Sequence, residues 1–271
     1  GRAYVTILYT LGSGLARLCF STFGRWEVVG REAVPPIGRL LVVANHLSNA
    51  DPPVVAAAMP RRVSFLAHRG LFRNPMLALA FKSWGVHAVD RGGNDPAAAR
   101  WALRILEREG VVGLFPEATR SPEGLRKPLY GVADLAGRTQ APILPVGITG
   151  TEKVPGYWRI LFPFHKIRVN IGTPFTLPVI NGRPSREVLE SLTDMIMLRV
   201  AALLPDEYRG VYRSGDGGSN WDHVLFTSDS VGAIDLEMHP TDPNTLYAAM
   251  WRGERKPWTI ISGMEASGRE D

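Results

Sequence analysis

The sequence predicts an α/β domain: a β-sheet flanked by helices, led by an apolar helix and followed by a short β-rich fragment. Three observations carry this. Short apolar runs with strand character alternate with helix-patterned segments as far as residue 205. Polar clusters follow the ends of those runs again and again, which is where ligand sites gather in α/β sheets. After Pro205 the helical pattern stops, and the turn chemistry of Gly215-Asp216-Gly217-Gly218-Ser219-Asn220-Trp221 takes over between short β-like runs.

The elements follow in order. Residues 3–23 are strongly apolar, broken by Gly12-Ser13-Gly14 and by Arg17. A spanning helix needs about 20 predominantly apolar residues. This stretch barely qualifies, and Arg17 suits an interface better than a bilayer centre, so a helix dipping into one leaflet is expected, with a true span or a core helix of a soluble protein as the alternatives. A strand is expected at 25–29, and a turn at Val34-Pro35-Pro36. A buried strand at 39–44 then runs into a polar turn and a helix at 52–59, with Asp51 as its N-cap and prolines at its first positions. Further strands are expected at 61–67, 86–89, 111–115, 143–148 and 166–171. Helices are expected at 76–83, at 96–109 with Asp95 as N-cap, and at 186–204. Ser185 caps the last, whose Val188, Leu189, Leu192, Ile196 and Val200 share one face. Beyond residue 210, strands are expected at 224–227 and 245–250. The chain opens on Gly1 rather than Met, so a cut or processed N-terminus is expected.

Composition narrows the partners. An apolar fraction of 45% can fill a sizeable core, and a single cysteine, Cys19, rules out an internal disulfide or a cysteine-based zinc site. The net charge of +5 is uneven. Residues 1–209 hold 26 Lys+Arg against 16 Asp+Glu, a net +10, whereas residues 210–271 hold 5 against 10, a net −5. The first part suits anionic partners such as phospholipid head groups or phosphorylated substrates. The charge also allows nucleic acid, but no recognition motif supports it. The division that results is an apolar membrane-associated helix at 1–24, a basic α/β domain at 25–209 and a β-rich fragment at 210–271.

Four clusters at strand ends carry chemistry: Asn45-His46-Leu47-Ser48-Asn49-Ala50-Asp51, Val89-Asp90-Arg91, Phe115-Pro116-Glu117-Ala118-Thr119-Arg120-Ser121, and Ala141-Pro142-Ile143-Leu144-Pro145-Val146. His46 leaves a strand end and Asp51 opens a helix, so the two side chains meet across a tight turn. A carboxylate holding an imidazole makes histidine a general base for a hydroxyl. Alone, each cluster has a structural reading as well: a helix cap, a surface ion pair, a solvated loop charge or loop-punctuating prolines.

In this order and spacing the clusters resemble the four blocks of the glycerolipid acyltransferase family. The first looks like NHxSxxD and the third like FPEGTRS. Leu66-Ala67-His68-Arg69-Gly70-Leu71-Phe72 is similar to a further basic stretch of that family, and Gly147-Ile148-Thr149-Gly150-Thr151-Glu152-Lys153 also fits. The resemblance covers residues 3–209 and implies a mixed β-sheet flanked by helices. It implies acyl transfer from a thioester, carried on coenzyme A or acyl carrier protein, to the free hydroxyl of lysophosphatidic acid, with phosphatidic acid as product. His46 would be the base and Asp51 its orienting partner, with no bound cofactor and no metal. Arg120 and then Arg91 would hold the phosphate, because the guanidinium fork binds its oxygens bidentately. Glu117 would orient Arg120 or accept a hydrogen bond from the glycerol part. Thr119, Ser121 and Arg69 would line the acceptor side, and Pro145 the acyl side. The chain would sit on the cytoplasmic face of a phospholipid membrane. Two positions depart from the pattern: Ala118 stands where the family usually has Gly, and His68 where Lys is common.

The C-terminal piece resembles something else. Ser214-Gly215-Asp216-Gly217-Gly218-Ser219-Asn220-Trp221 is similar to an Asp-box, the hairpin of sialidase-like and sortilin-like β-propellers. Residues 211–271 amount to little more than one blade, which cannot bury its faces alone. A torso of a longer chain, or a fusion at residues 208–214, is expected. The rival functions are the same chemistry on another lysolipid or on glycerol phosphate, and a propeller-type binding or glycosidase module.

Overall fold

The computed structural model describes residues 2–73, 86–89, 96–121, 125–154, 158–160, 162–180 and 182–205, with residues 78, 81, 84 and 208 and five strand segments after residue 210. Asp90, Arg91, Asp95, the 214–221 turn and most of the helix expected at 76–83 lie outside the described residues; Ala78 and Phe81 within that stretch, and Trp84 just after it, are helical.

Helix α1 (Arg2–Phe23) leads into strand β1 (Arg25–Val29). Strand β2 (Leu40–Ala44) and helix α2 (Asp51–Ala58) follow, then β3 (Val63–His68), β4 (His87–Val89) and α3 (Pro96–Glu107). The domain continues through β5 (Val111–Leu114), α4 (Gly131–Thr139), β6 (Ile143–Thr149), β7 (Lys166–Ile171) and α5 (Arg186–Ala201).

Seven strands form one sheet in the order β1-β7-β6-β2-β5-β3-β4. The pairings β6–β2, β2–β5, β5–β3 and β3–β4 are parallel. β7 runs antiparallel to β6, and β1 parallel to β7, so the sheet is mixed. Five neighbouring strands therefore send their C-terminal ends to one edge. The sequence shows why: all five residues of β2 are buried, the continuous apolar run of a strand covered on both faces.

Each face has its own core. Tyr9, Ala16 and Phe20 of α1 join Val54 to Ala58 of α2 on one side. Ala102 and Leu106 of α3, Val132, Ala133, Leu135 and Ala136 of α4, and Leu189, Ile196 and Val200 of α5 fill the other. Helix α4 has no counterpart in the sequence analysis. It is nine residues long, with Gly131 at its start and Gly137 inside it, and it stands on packing rather than propensity.

Three expectations change. Val188 is 40% exposed, and the inward face of α5 instead takes Thr193 and Met197. Arg17 turns inward: its Nε and Nη2 both donate to the carbonyl oxygen of Ala57, at 3.0 and 2.6 Å. A guanidinium suits the end of α2, where carbonyls lack helical partners and the helix dipole is negative. Asp51 does not cap α2; it is the first helical residue, after Ala50, and its carboxylate looks back into the loop. Ser185 does cap α5, its Oγ accepting from the amide of Val188 at 3.4 Å.

Helix α1 lies close to the domain. Gly12 faces the indole of Trp84 so closely that an added Cβ would sit 2.5 Å from its Nε1. Among the described residues no helix is long and apolar enough to cross a membrane. After residue 210, β8 (Val211–Arg213) pairs antiparallel with β9 (Asp222–Leu225), and β10 (Val231–Met238), β11 (Leu246–Lys256) and β12 (Thr259–Gly263) form a separate antiparallel sheet.

Candidate active site

The site stands at the C-terminal end of β2, in the middle of the parallel edge. His46 Nδ1 lies 2.7 Å from Asp51 Oδ2. The same oxygen accepts from the amides of Leu47, at 2.6 Å, and Ser48, at 2.8 Å. The Asp51 carboxylate is fully buried, while the His46 side chain keeps 17% exposure. A carboxylate only accepts, so Nδ1 carries the proton and Nε2 presents its lone pair. Phe115, just after β5, stacks on the imidazole with ring centroids 4.5 Å apart and planes 27° apart. The ring is thus held on one edge and one face. That pre-organises Nε2 to take a proton from a hydroxyl.

Glu117 supports the same loop from the β5 side. Its Oε1 accepts from the amide of His46 at 2.9 Å, and its Oε2 from the amide of Arg126 at 3.1 Å. Both oxygens therefore hold backbone. Burial pushes its pKa up to about 7, against the two amides, which favour the charged form, and with Asp51 adding to the rise. The carbonyl of His46 accepts from the amide of Ser121 at 2.7 Å, so the loop after β2 and the loop after β5 are laced together.

The other expected site residues divide clearly. Thr119 and Arg120 are exposed on the β5 loop, and Ser121 is buried beneath them. Ala118, between Glu117 and Thr119, has φ +54°, the left-handed conformation that glycine adopts without cost. Arg69 is exposed in the short helical turn (Arg69–Arg73) after β3, where His68, Arg69, Gly70, Phe72 and Arg73 line a pocket of about 460 Å³. His68 Nδ1 accepts from the amide of Gly70 at 3.2 Å. Pro145 is buried inside β6, in register with Val43, and its carbonyl accepts from the amide of Gly172 at 2.9 Å. No group of three or more metal-ligating side chains exists among the described residues.

Sequence reasoning missed three contributors. Asn45 bonds both the amide and the carbonyl of Ile148 in β6. Thr151 reaches Asp51 from the turn after β6. Phe115, expected at a strand end and in the third cluster, is the plate under His46. Their signal was the block each belongs to, but only the register of the sheet says which atoms meet.

An α/β domain with a buried carboxylate–histidine pair at the parallel edge is a frame for hydroxyl activation. Residues 25–149 match the family described as Acyltransferase. Over that stretch the chain is similar to glycerolipid acyltransferases. It is similar to the 1-acyl-sn-glycerol-3-phosphate acyltransferase of Bacillus subtilis, 24% identical over 198 residues, which are 72% of this chain and 96% of that protein. It is also similar to the protein of that name from Borreliella burgdorferi, 29% identical over 128 residues, 46% of this chain and 51% of that one. Among solved structures it resembles the 1-acyl-sn-glycerophosphate acyltransferase PlsC of Thermotoga maritima. The TM-score is 0.56 at 24% identity, over 73% of this chain and 78% of that one, and the likeness is one of fold.

Proposed function

We propose that this acyltransferase moves a fatty acyl group from a thioester to the free hydroxyl of lysophosphatidic acid, giving phosphatidic acid. The observation that carries the reading is the His46–Asp51 pair, with Nδ1 held at 2.7 Å from the Asp51 carboxylate. The names of the relatives favour this acceptor.

His46 Nε2 takes the hydroxyl proton as the acceptor oxygen attacks the thioester carbonyl. Asp51 stabilises the imidazolium that forms. The tetrahedral intermediate expels the thiolate, which takes the proton back from His46. The acyl group goes directly from donor to acceptor, since Cys19, the chain's single thiol, is buried in α1. Arg120, exposed on the β5 loop, and Arg91 are assigned to the phosphate, with Thr119, Ser121 and Arg69 beside them on the acceptor side. Pro145 is assigned to the acyl side.

The lipid acceptor needs an enzyme that works at a membrane. Ile7, Leu11, Leu15 and Leu18 form an outward apolar row on α1, each 53–64% exposed. Phe23 at the end of that helix packs on Phe164, itself 63% exposed. We assign this surface to shallow insertion in a leaflet, on the cytoplasmic face, with Arg17 held inward by α2.

The test is thioester consumption with palmitoyl-coenzyme A or palmitoyl-acyl carrier protein and a panel of lysolipids. His46→Ala should abolish turnover with every acceptor; wild-type activity in that variant sinks the mechanism. Arg120→Ala should weaken acceptors that carry a phosphate monoester and spare those that do not. Equal losses on both remove its assigned role, and preference for another lysolipid or for glycerol phosphate replaces the acceptor.

A further inference from the structure

We propose that Thr151 is a positioning residue of the transfer reaction: its hydroxyl fixes the Asp51 carboxylate so that one oxygen is reserved for His46. The inference rests on the reading of His46 as the base.

The two carboxylate oxygens of Asp51 are used differently. Oδ2 takes His46 Nδ1 and the amides of Leu47 and Ser48. Oδ1 accepts from Thr151 Oγ1 at 2.5 Å. Asp51 and Thr151 are both 0% exposed, so bulk water has no route to replace that donor. The hydroxyl must donate, because an ionised carboxylate offers no proton. A short bond to a charged acceptor is among the stronger hydrogen bonds, and it sets the plane of the carboxylate. The loop amides approach Oδ2 and the hydroxyl approaches Oδ1, so the group cannot rotate about its Cβ–Cγ bond without losing both sets.

The fold delivers Thr151 deliberately. β6 ends at Thr149, and Gly150 follows with φ +87°, where an added Cβ would collide with the carbonyl oxygen of Lys166. That turn brings Thr151 back under the sheet edge. One strand away, Asn45 bonds the amide and carbonyl of Ile148, which fixes the end of β6 against the end of β2. The Asp51 pair is therefore completed by a residue 100 positions further along the chain. Nothing in the spacing of His46 and Asp51 announces it.

If Thr151 only satisfied a buried group, its loss would lower stability and leave the turnover of the folded fraction intact. As a positioning residue it acts on the proton-transfer step and not on acceptor affinity. Three variants of the full chain separate the cases, each assayed with palmitoyl-coenzyme A and lysophosphatidic acid in mixed micelles and each melted. Thr151→Val keeps the shape and removes the donor; kcat per folded molecule should fall about tenfold or more, with KM for lysophosphatidic acid within about twofold. Thr151→Ser keeps the donor and should restore kcat to within about threefold of wild type. His46→Ala serves as the reference for the base. Wild-type kcat in folded Thr151→Val, with His46→Ala inactive, overturns this inference and leaves the base in place. A Ser variant as slow as the Val variant also overturns it. An active His46→Ala overturns the underlying reading instead.

Discussion

Asn45 and Ile148 are joined by two hydrogen bonds, Asn45 Nδ2 donating to the carbonyl of Ile148 at 2.9 Å and the amide of Ile148 donating to Asn45 Oδ1 at 2.8 Å. Asn45 thus extends the β2–β6 ladder by one side chain, one residue past the last strand position of β2. It leaves the backbone of His46 free to turn toward Glu117. Asn45→Ala strands the amide and carbonyl of a fully buried residue. The loss should be about 2–4 kcal/mol of unfolding free energy, read by denaturant titration. A change below about 0.5 kcal/mol would show that the backbone closes the gap by itself.

Ala118 is the position where the sequence departs from the usual glycine, and the structure gives the reason this matters. Its φ of +54° is left-handed, in a turn where its amide donates to the carbonyl of Phe115 at 3.0 Å. An L-residue with a Cβ costs about 1–2 kcal/mol there, while glycine gives back part of that gain as extra freedom in the unfolded chain. Ala118→Gly should therefore stabilise the domain by about 0.5–1 kcal/mol, visible as a higher denaturant midpoint at unchanged slope. A destabilised variant would place the strain elsewhere.

Much of this was legible in the sequence. The buried strands are continuous apolar runs, so β2, β6 and β7 emerge close to their expected bounds. The pairing of His46 with Asp51 also followed from local spacing, because they stand only five positions apart. What was not legible depends on register. Glu117 was expected to serve Arg120 or the acceptor, yet its oxygens hold the amides of His46 and Arg126. Asp51 was expected to cap α2, yet its carboxylate faces the loop and Thr151. In both cases the residue type and loop were right, and the partner atom was set by neighbouring strands that sequence spacing does not reveal. Helix α4 was missed because its glycines hide a weak pattern that packing alone sustains.

Glu117 makes stability depend on pH in a direction opposite to that of a paired carboxylate. Its pKa rises from 4.5 to about 7 in the fold, chiefly through burial. The folded state therefore binds more protons than the unfolded state between those values. The contribution is full below the unfolded pKa and is lost as pH rises through about 7. Between pH 5 and pH 8 this one group should remove on the order of 3 kcal/mol of stability. Glu117→Gln cannot titrate, so its unfolding free energy should fall less over that range, even though its amide matches the two backbone donors less well. Parallel pH dependences in the two proteins would assign the titration to another group.

Tyr208 anchors the chain beyond α5 to the seven-stranded domain. Its hydroxyl donates to Glu152 Oε1 at 3.0 Å, and its carbonyl accepts from the amide of Leu125 at 3.4 Å. It also packs, half-buried, on the core beneath α5. One residue thus ties the chain after α5 to the β5 loop and to the turn that carries Thr151. Among the described residues, the strands after residue 210 pair among themselves and add none to the seven-stranded sheet. A chain ended after Gly210 should keep the melting temperature of the catalytic domain and its turnover. A chain ended after Pro205 loses Tyr208 and should melt several degrees lower, with reduced kcat, because the turn behind Asp51 loses a support. Tyr208→Phe, which removes only the hydroxyl, should fall between them. If the two truncations melt and turn over alike, Tyr208 is not part of the domain's frame.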